Sequence, residues 1–380
     1  PTSPDQSLIS YKAWESPSIS LDKANIVRCI SIKDGIPTSK VYTNTYFIDE
    51  NIFTKYSLPI ISLITEEDNL FDSDSGIYIP GVNFNINNPE WTGNYFQSGI
   101  KWEKPFHIEY FDKNGTLGFS QDAGVRIHGG KTRQAAQKSI RLYAREEYGK
   151  KYFNYPLIPQ REHSEYKRFI LRTTMGSWHD QSIIKDVLAH EIAKDLDIET
   201  QGFQPVLVFL NGEYWGIHTL RDKIDEYYIN YKFDVDKDSV DLIGGNYNLI
   251  FAGDNSHYKN ILEFIKNNTL NEPNNYEYVK TQIDIDNFIN YQISEMFFAN
   301  IDWPANNIKL WRPQTENGKW RWIFYDLDAS FNNIDYNMFV HSTSINESIP
   351  WSDPTHPTFL FRNLLLNTQV VNQLASRYAE

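Results

Sequence analysis

The apolar period changes once along this chain, and that change limits the folds open to it. Between Lys101 and Arg221 apolar residues mostly recur at every second position, as in "FHIEYFD", "AGVRIHG", "KSIRLYAR", "QPVLVFL" and "YWGIHTLR". That is the period of half-buried strands. Beyond Arg221 the spacing lengthens to that of helices, in "SHYKNILEFIKNN", "DIDNFINYQISEMFFAN" and "HPTFLFRNLLLNTQVVNQLASRYAE". A strand-rich half followed by a helix-rich half predicts an α+β chain. Asn-Gly in "KNGTLGF" and in "NGE" sits between apolar runs, where two-residue turns close antiparallel hairpins. One helix interrupts the strands: in "HDQSIIKDVLAHEIAKDLDI", Ile183, Ile184, Val187, Leu188 and Ile192 fall at helical spacing.

The flanks are simpler. "SPSISLD", "NIVRCISI" and "TNTYFI", with the turn "KDGIPTS", predict a small all-β domain over residues 1–50, trimmed at its start. "LPIISLITEE" opens a new strand after Pro59, and "DNLFDSDSGIYIPGVNFNINNPEW" reads as irregular and exposed. The predicted division is 1–50, a strand-rich lobe over 51–230 and a helix-rich lobe over 231–380. Asp284 or Asp286 is available to cap one of the late helices. "NNTLNEPNN" reads as a solvent-facing loop.

Composition narrows the function classes. With 380 residues, 41% of them hydrophobic, the chain can bury more than one core. Its 49 acidic and 36 basic residues give a net charge of -13, which argues against nonspecific binding to nucleic acid or anionic membranes. The same charge suits a basic protein partner. No run approaches the length of a membrane-spanning helix. "PTSPDQSLIS" lacks the basic and apolar regions of a signal peptide, which predicts a signal peptide absent from this chain, as a removed one would also leave it. The lone cysteine, Cys29, excludes internal disulfides and cysteine-rich metal sites. Its alternating surroundings predict a buried strand position.

Two stretches carry candidate chemistry. In "IDWPANNIKLWRPQTENGKWRWIFYDLDASF", residues 301–331, Asp302, Asn307, Asp326 and Asp328 sit among tryptophans, although a buried unpaired carboxylate is costly. Asp302 and Asn307 are separated by four residues, among them the helix-resisting Pro304. Kinase catalytic loops use this spacing: the Asp orients the acceptor hydroxyl or takes its proton, and the Asn helps to hold a divalent cation. Asp326 and Asp328 face one site if the strand "WRWIFYDLD" continues through Leu327. Hard oxygen ligands of this kind suit Mg²⁺ or Mn²⁺. Spacing leaves two other readings open, ordinary turn residues with a solvent-facing Asp pair, or a structural Ca²⁺ site.

In "GVRIHGGKTRQAAQKSIRLYAR", Gly129 and Gly130 permit close backbone approach to an anion. Lys131 and Arg133 lie in the loop, and Lys138 and Arg141 begin the next strand. This is not a P-loop, and a basic surface hairpin fits the same residues. Stepping around the predicted helix places Glu191 near the centre of its apolar face, where it needs a cation. Lys138 is the first choice, in the manner of the kinase lysine–glutamate pair that positions ATP, or as a purely structural pair. The histidines are scattered. The ten tryptophans fit either a sugar-binding platform or a large core.

Taken together, four blocks resemble the CotH family, atypical protein-kinase-like proteins named after a bacterial spore coat protein. They are "GVRIHGGKTRQAAQKSIRLYAR", "LRTTMGSWHDQSIIKDVLAHEIAKDL", "PVLVFLNGEYWGIHTLRDKID" and "WPANNIKLWRP" with "WRWIFYDLDASF". The resemblance runs from about Leu58 to the C-terminus. Over the first 50 residues "DGIPTSKVYTNTYFI" resembles a chitobiase/hexosaminidase C-terminal-like β domain. The family resemblance implies a diverged, two-lobed protein-kinase-like fold that phosphorylates Ser or Thr of partner proteins, using ATP and Mg²⁺ or Mn²⁺. It also implies a place on the bacterial cell surface, in the spore coat or among secreted proteins. Carried over by position, Asp302 is the catalytic aspartate, Asn307 its metal-side companion, and Asp326 or Asp328 the metal aspartate. Lys138, Arg141 or Arg133 is the phosphate-facing cation, and Asp222 stands where similar sequences often have glutamate. The glycine loop is abbreviated and "YDLDAS" is not Asp-Phe-Gly. Two alternatives remain on this scaffold, a non-catalytic adhesion or carbohydrate-interaction protein and a nucleotidyl-transferring enzyme using the same ATP site.

Overall fold

The structure, a computed structural model, describes residues 25–48, 51–173, 184–245, 247–331, 333, 335–345, 353 and 355–379. The predicted strand "SPSISLD" and the start of the predicted helix, including Ile183, lie outside the described residues. Contacts divide the chain into two units, and the division is discontinuous in sequence. The first holds the described residues up to 173 together with Phe203–Asp222; the second holds Ile184–Gly202 and the described residues from Lys223 onward.

In the first unit, β1 (Asn25–Cys29) pairs antiparallel with β4 (Tyr42–Tyr46) around a hairpin of β2 (Ile32–Lys33) and β3 (Ile36–Pro37). Asp34 and Gly35 have φ of 52° and 76°, as a tight turn with two left-handed central residues requires. The inward positions of β4 are Thr43 and Thr45, opposite Arg28 and Ile26. Cys29 lies opposite the exposed Tyr42 and is itself exposed, which corrects the buried position predicted for it.

α1 (Ile52–Tyr56), β5 (Ile60–Ile64), α2 (Glu67–Phe71), β6 (Lys104–Phe111), β7 (Leu117–Ile127) and β8 (Ile140–Tyr143) follow. A two-residue pair, β9 (Phe153–Asn154) and β10 (Glu165–Tyr166), precedes β11 (Arg168–Arg172). β12 (Phe203–Leu210) and β13 (Glu213–Asp222) complete a closed barrel in the order β11-β13-β12-β5-β6-β7-β8, in which only β12 and β5 run parallel. Closure removes both sheet edges. Alternation does the rest: Ile61, Leu63, Val125, Ile127, Ile140, Leu142, Val206 and Val208 share one core. The stretch predicted to be irregular and exposed is less so, because Leu70 of α2 and, beyond the helix, Ile77 and Tyr78 enter that core. The N-terminal hairpin is fastened to the barrel. The Thr45 amide donates to Glu109 at 2.7 Å, and Phe47 meets the rings of Phe53, Phe111 and Phe209.

The second unit begins with α3 (Lys185–Ile192) and resumes with α4 (Glu226–Phe233), which Asp225 caps through the amides of Tyr227 and Tyr228. β14 (Val240–Gly244) and β15 (Leu249–Ala252) precede α5 (Ser256–Asn267), α6 (Pro273–Gln282) and α7 (Ile285–Phe297). β16 (Lys309–Pro313), β17 (Arg321–Trp322), α8 (Met338–Thr343), α9 (Phe359–Leu364) and α10 (Thr368–Ala379) follow, and the sheet order is β15-β14-β16-β17. Asp284 caps α7 by accepting the Asn287 amide at 3.1 Å. α6 replaces part of the predicted Asn-rich loop, with Pro273 in its first turn, where a missing amide costs nothing. The tryptophans Trp303, Trp320 and Trp322 lie in the core with α5, α7 and α9.

Candidate active site

The site in the second unit starts where α7 stops. Asn300, wholly buried, donates from Nδ2 to Glu295 Oε2 at 2.8 Å. Burial pushes the Glu295 carboxyl well above the usual carboxylate range, with the Asn300 hydrogen bond opposing it. The chain then turns through Trp303, which is 1% exposed and anchors the loop in the core beneath. Asp302, above it, is half-buried. Its Oδ1 accepts from Asn306 Nδ2 at 2.9 Å and its Oδ2 from Asn307 Nδ2 at 3.0 Å. The two residues read from spacing as a pair are therefore one hydrogen-bonded unit.

The same Asn307 amide donates to the Asp326 carbonyl at 3.3 Å, which joins this loop to the second acidic turn. Asn307 and Asp326 both hold left-handed backbone, with φ of 58° and 63°. Asn and Asp tolerate that region better than other non-glycine residues, and such conformations concentrate at ligand-binding positions. The prediction that the strand runs through Leu327 is corrected here. β17 ends at Trp322, and the left-handed Asp326 breaks the alternation, so Asp326 and Asp328 are presented by a turn. Leu327 between them is fully buried, and its amide donates to Asp186 Oδ1 on α3 at 2.9 Å. Burial lowers the pKa of Lys185, the neighbour of Asp186, against the opposing pull of Asp328's negative charge.

α3 presents a different face from the one predicted. Asp186, Val187, Ala189 and His190 are buried, while Ile184, Leu188 and Ile192 are 56%, 44% and 51% exposed. Glu191 is accordingly on the surface, paired with Lys194. Hydrophobic spacing pointed the wrong way because the helix buries a polar pair. His190 Nε2 lies 3.7 Å from Asp186 Oδ1. The i, i+4 placement of Asp186 and His190 was the available signal for these residues, which sequence reasoning did not select.

The glycine hairpin belongs to the first unit. Gly129 has φ of 110°, and a Cβ there would meet Thr132 Oγ1 at 2.4 Å, so the turn itself demands glycine. At Gly130 a Cβ would meet nothing within 4 Å. Arg133 folds inward, donating to the carbonyls of Gly129 at 2.6 Å and of Phe96 and Gln97 at 3.1 Å. Lys138 is also turned in. Its Nζ donates to the carbonyls of Arg133 and Ala135, both at 2.8 Å, and stands 4.2 Å from the Tyr95 ring centroid. Burial pulls its pKa down to about 8. Lys138 was expected to neutralise Glu191; it instead ties down its own loop. Asp222 is likewise committed, accepting from Arg161 Nε at 3.0 Å and Nη2 at 2.9 Å. Arg141 keeps an outward position beside Arg126, its cross-strand neighbour, and contacts His128 and the Tyr143 hydroxyl.

No curated protein matches this chain. The model of the CotH kinase protein family matches residues 125–380, a span that includes both the glycine hairpin and the two acidic turns. With more than half its length matched, and with the residues that carry the resemblance gathered in that span, the chain belongs to the CotH kinase protein family.

Proposed function

We propose that this protein is an ATP-dependent kinase that transfers the γ-phosphate to a Ser or Thr hydroxyl of a partner protein. The observation that carries this reading is the Asp302–Asn307 hydrogen bond, joined through the same amide to the backbone of Asp326. Asp302 would orient the acceptor hydroxyl and take its proton as the oxygen attacks the γ-phosphorus and the bond to ADP breaks. The amides of Asn306 and Asn307 hold both oxygens of its carboxylate in place before any substrate arrives.

Asn307 uses Nδ2 on protein oxygens, which leaves Oδ1 as its acceptor for a cation. Asp326 and Asp328 would add carboxylates from the neighbouring turn. This all-oxygen donor set fits Mg²⁺ or Mn²⁺. The described residues contain no group of three or more His, Cys, Asp or Glu that could hold a metal, and Mg²⁺ takes one or two carboxylates with water and phosphate oxygens. Such a cation supplies neutralisation of phosphate charge when bound. Of the glycine hairpin, Gly130 and Arg141 are the candidates left for phosphate contact. Arg133, Lys138, Glu191 and Asp222 are held by carbonyls or opposite charges, whereas Arg141 hydrogen-bonds to the side chains of His128 and Tyr143, which carry no negative charge.

The net charge of -13 favours a basic acceptor, and a bacterial surface, secreted or spore-coat setting follows from the family resemblance. Among the described residues no helix is long and apolar enough to cross a membrane. The "DGIPTSKVYTNTYFI" motif supports reading the N-terminal strands as a chitobiase/hexosaminidase C-terminal-like domain. Parallel incubations with ATP labelled at the γ- or the α-phosphate test the activity. Protein-bound γ-label is expected; α-label instead would mean nucleotidyl transfer, and no label on any basic Ser/Thr-rich acceptor would reject both.

A further inference from the structure

We infer that Asp186 is a positioning residue, whose carboxylate holds the Asp326–Asp328 turn by accepting the Leu327 amide. The inference rests on the reading of Asp326 and Asp328 as cation ligands, and adds a residue of α3 to their support. Asp186 is 1% exposed and Leu327 fully buried, so their 2.9 Å hydrogen bond is made out of reach of water. β17 ends at Trp322, which leaves the turn without strand pairing at Leu327. A side-chain acceptor from a helix takes the place of a ladder partner there. Asp186 has a buried polar neighbour on its own helix: His190 Nδ1 accepts the Gln201 amide at 3.3 Å, which turns Nε2 toward Asp186. That nitrogen faces Asp186 Oδ1 at 3.7 Å, and the His190 ring stands edge-on to Phe324, two residues before Asp326. At 3.7 Å His190 is a close polar neighbour of Asp186 and not a hydrogen-bonded link, so the hold on the turn is the Asp186–Leu327 hydrogen bond itself. Groups that orient ligands in this way typically affect metal affinity by about 10–100-fold.

The test uses the full chain and two readouts, Mn²⁺ affinity by calorimetry and hydrogen exchange at the Leu327 amide. Asp186→Ala is expected to weaken Mn²⁺ binding by about 10–100-fold and to release the Leu327 amide to exchange. Asp186→Asn keeps an Oδ1 acceptor and is expected to stay within about threefold of wild type in both, whereas a role confined to charge would not be rescued. Unchanged affinity and exchange in Asp186→Ala overturn the inference, as does an Asn variant as damaged as the Ala one. If the wild-type protein binds no Mn²⁺, the ligand reading falls and exchange alone judges Asp186. If Asp186→Ala does not fold, the wild-type and Asn proteins decide. Slow Leu327 exchange in both upholds the hydrogen bond, and exchange as fast as in exposed loops refutes it.

Discussion

Lys138 shows what one residue's environment does to its chemistry. It is 3% exposed, and its ammonium group is satisfied by two carbonyls and the faces of Tyr95 and Tyr78. With its pKa near 8 in the folded chain and the ordinary 10.5 when unfolded, the unfolded chain binds the extra proton between those values. Stability therefore rises with pH from about 8 toward about 10.5. Urea unfolding across that window is expected to show this rise in wild type and to lose it in Lys138→Met; equal slopes would contradict the assignment. The sequence marked Lys138 as important but gave the wrong partner, because its carbonyls come from a loop whose path no periodicity reports. Asp302 and Asn307 were legible for the opposite reason. Their separation is short, and a proline between them leaves few conformations other than a closed loop.

At the scale of elements, a half-buried arginine holds three segments of the second unit together. Arg321 on β17 donates to Glu199 at 2.6 Å and Asp197 at 2.7 Å and pairs with Asp284, the cap of α7. Glu199 is 1% exposed, and Asn287 of α7 donates to its other oxygen at 2.8 Å. Arg321→Met leaves that carboxylate buried without its cation, and is expected to cost about 3–5 kcal/mol in denaturant unfolding. A loss under about 1 kcal/mol would place the network among ordinary surface pairs. α5 and α7 were readable from their apolar spacing, and the Asn-Gly turn of β12 and β13 from its dipeptide. α3 was found but turned the wrong way, since Asp186 and His190 are buried for a backbone amide that lies far away in sequence. The turn after β17 was read as strand because its side chains are apolar enough for one, while Asp326 alone sets the break.

At the scale of the molecule, the barrel is assembled from segments that the family match includes only in part. The match begins at residue 125, inside β7, whereas β5 and β6 precede it and close the barrel between β12 and β7. A chain of residues 125–380 would leave the edges of β7 and β12 open and the apolar interior of the barrel uncovered. It is expected to be insoluble, or to lack the cooperative unfolding expected of residues 25–380. A fragment with the same unfolding transition would contradict the closed barrel. No periodicity announces closure, since a sheet and a barrel of these strands alternate alike; it depends on the β8–β11 and β12–β5 pairings between distant segments.

The central claim is that Asp302 serves phosphate transfer, and one comparison tests it most directly. Transfer of γ-label from ATP to a basic Ser/Thr-rich acceptor should be measured for wild type and Asp302→Ala, alongside nucleotide affinity with Mg²⁺ or Mn²⁺. The account predicts that transfer falls by about 10²–10⁴-fold in the variant, while nucleotide affinity stays within about tenfold. Transfer near the wild-type rate in Asp302→Ala would contradict it.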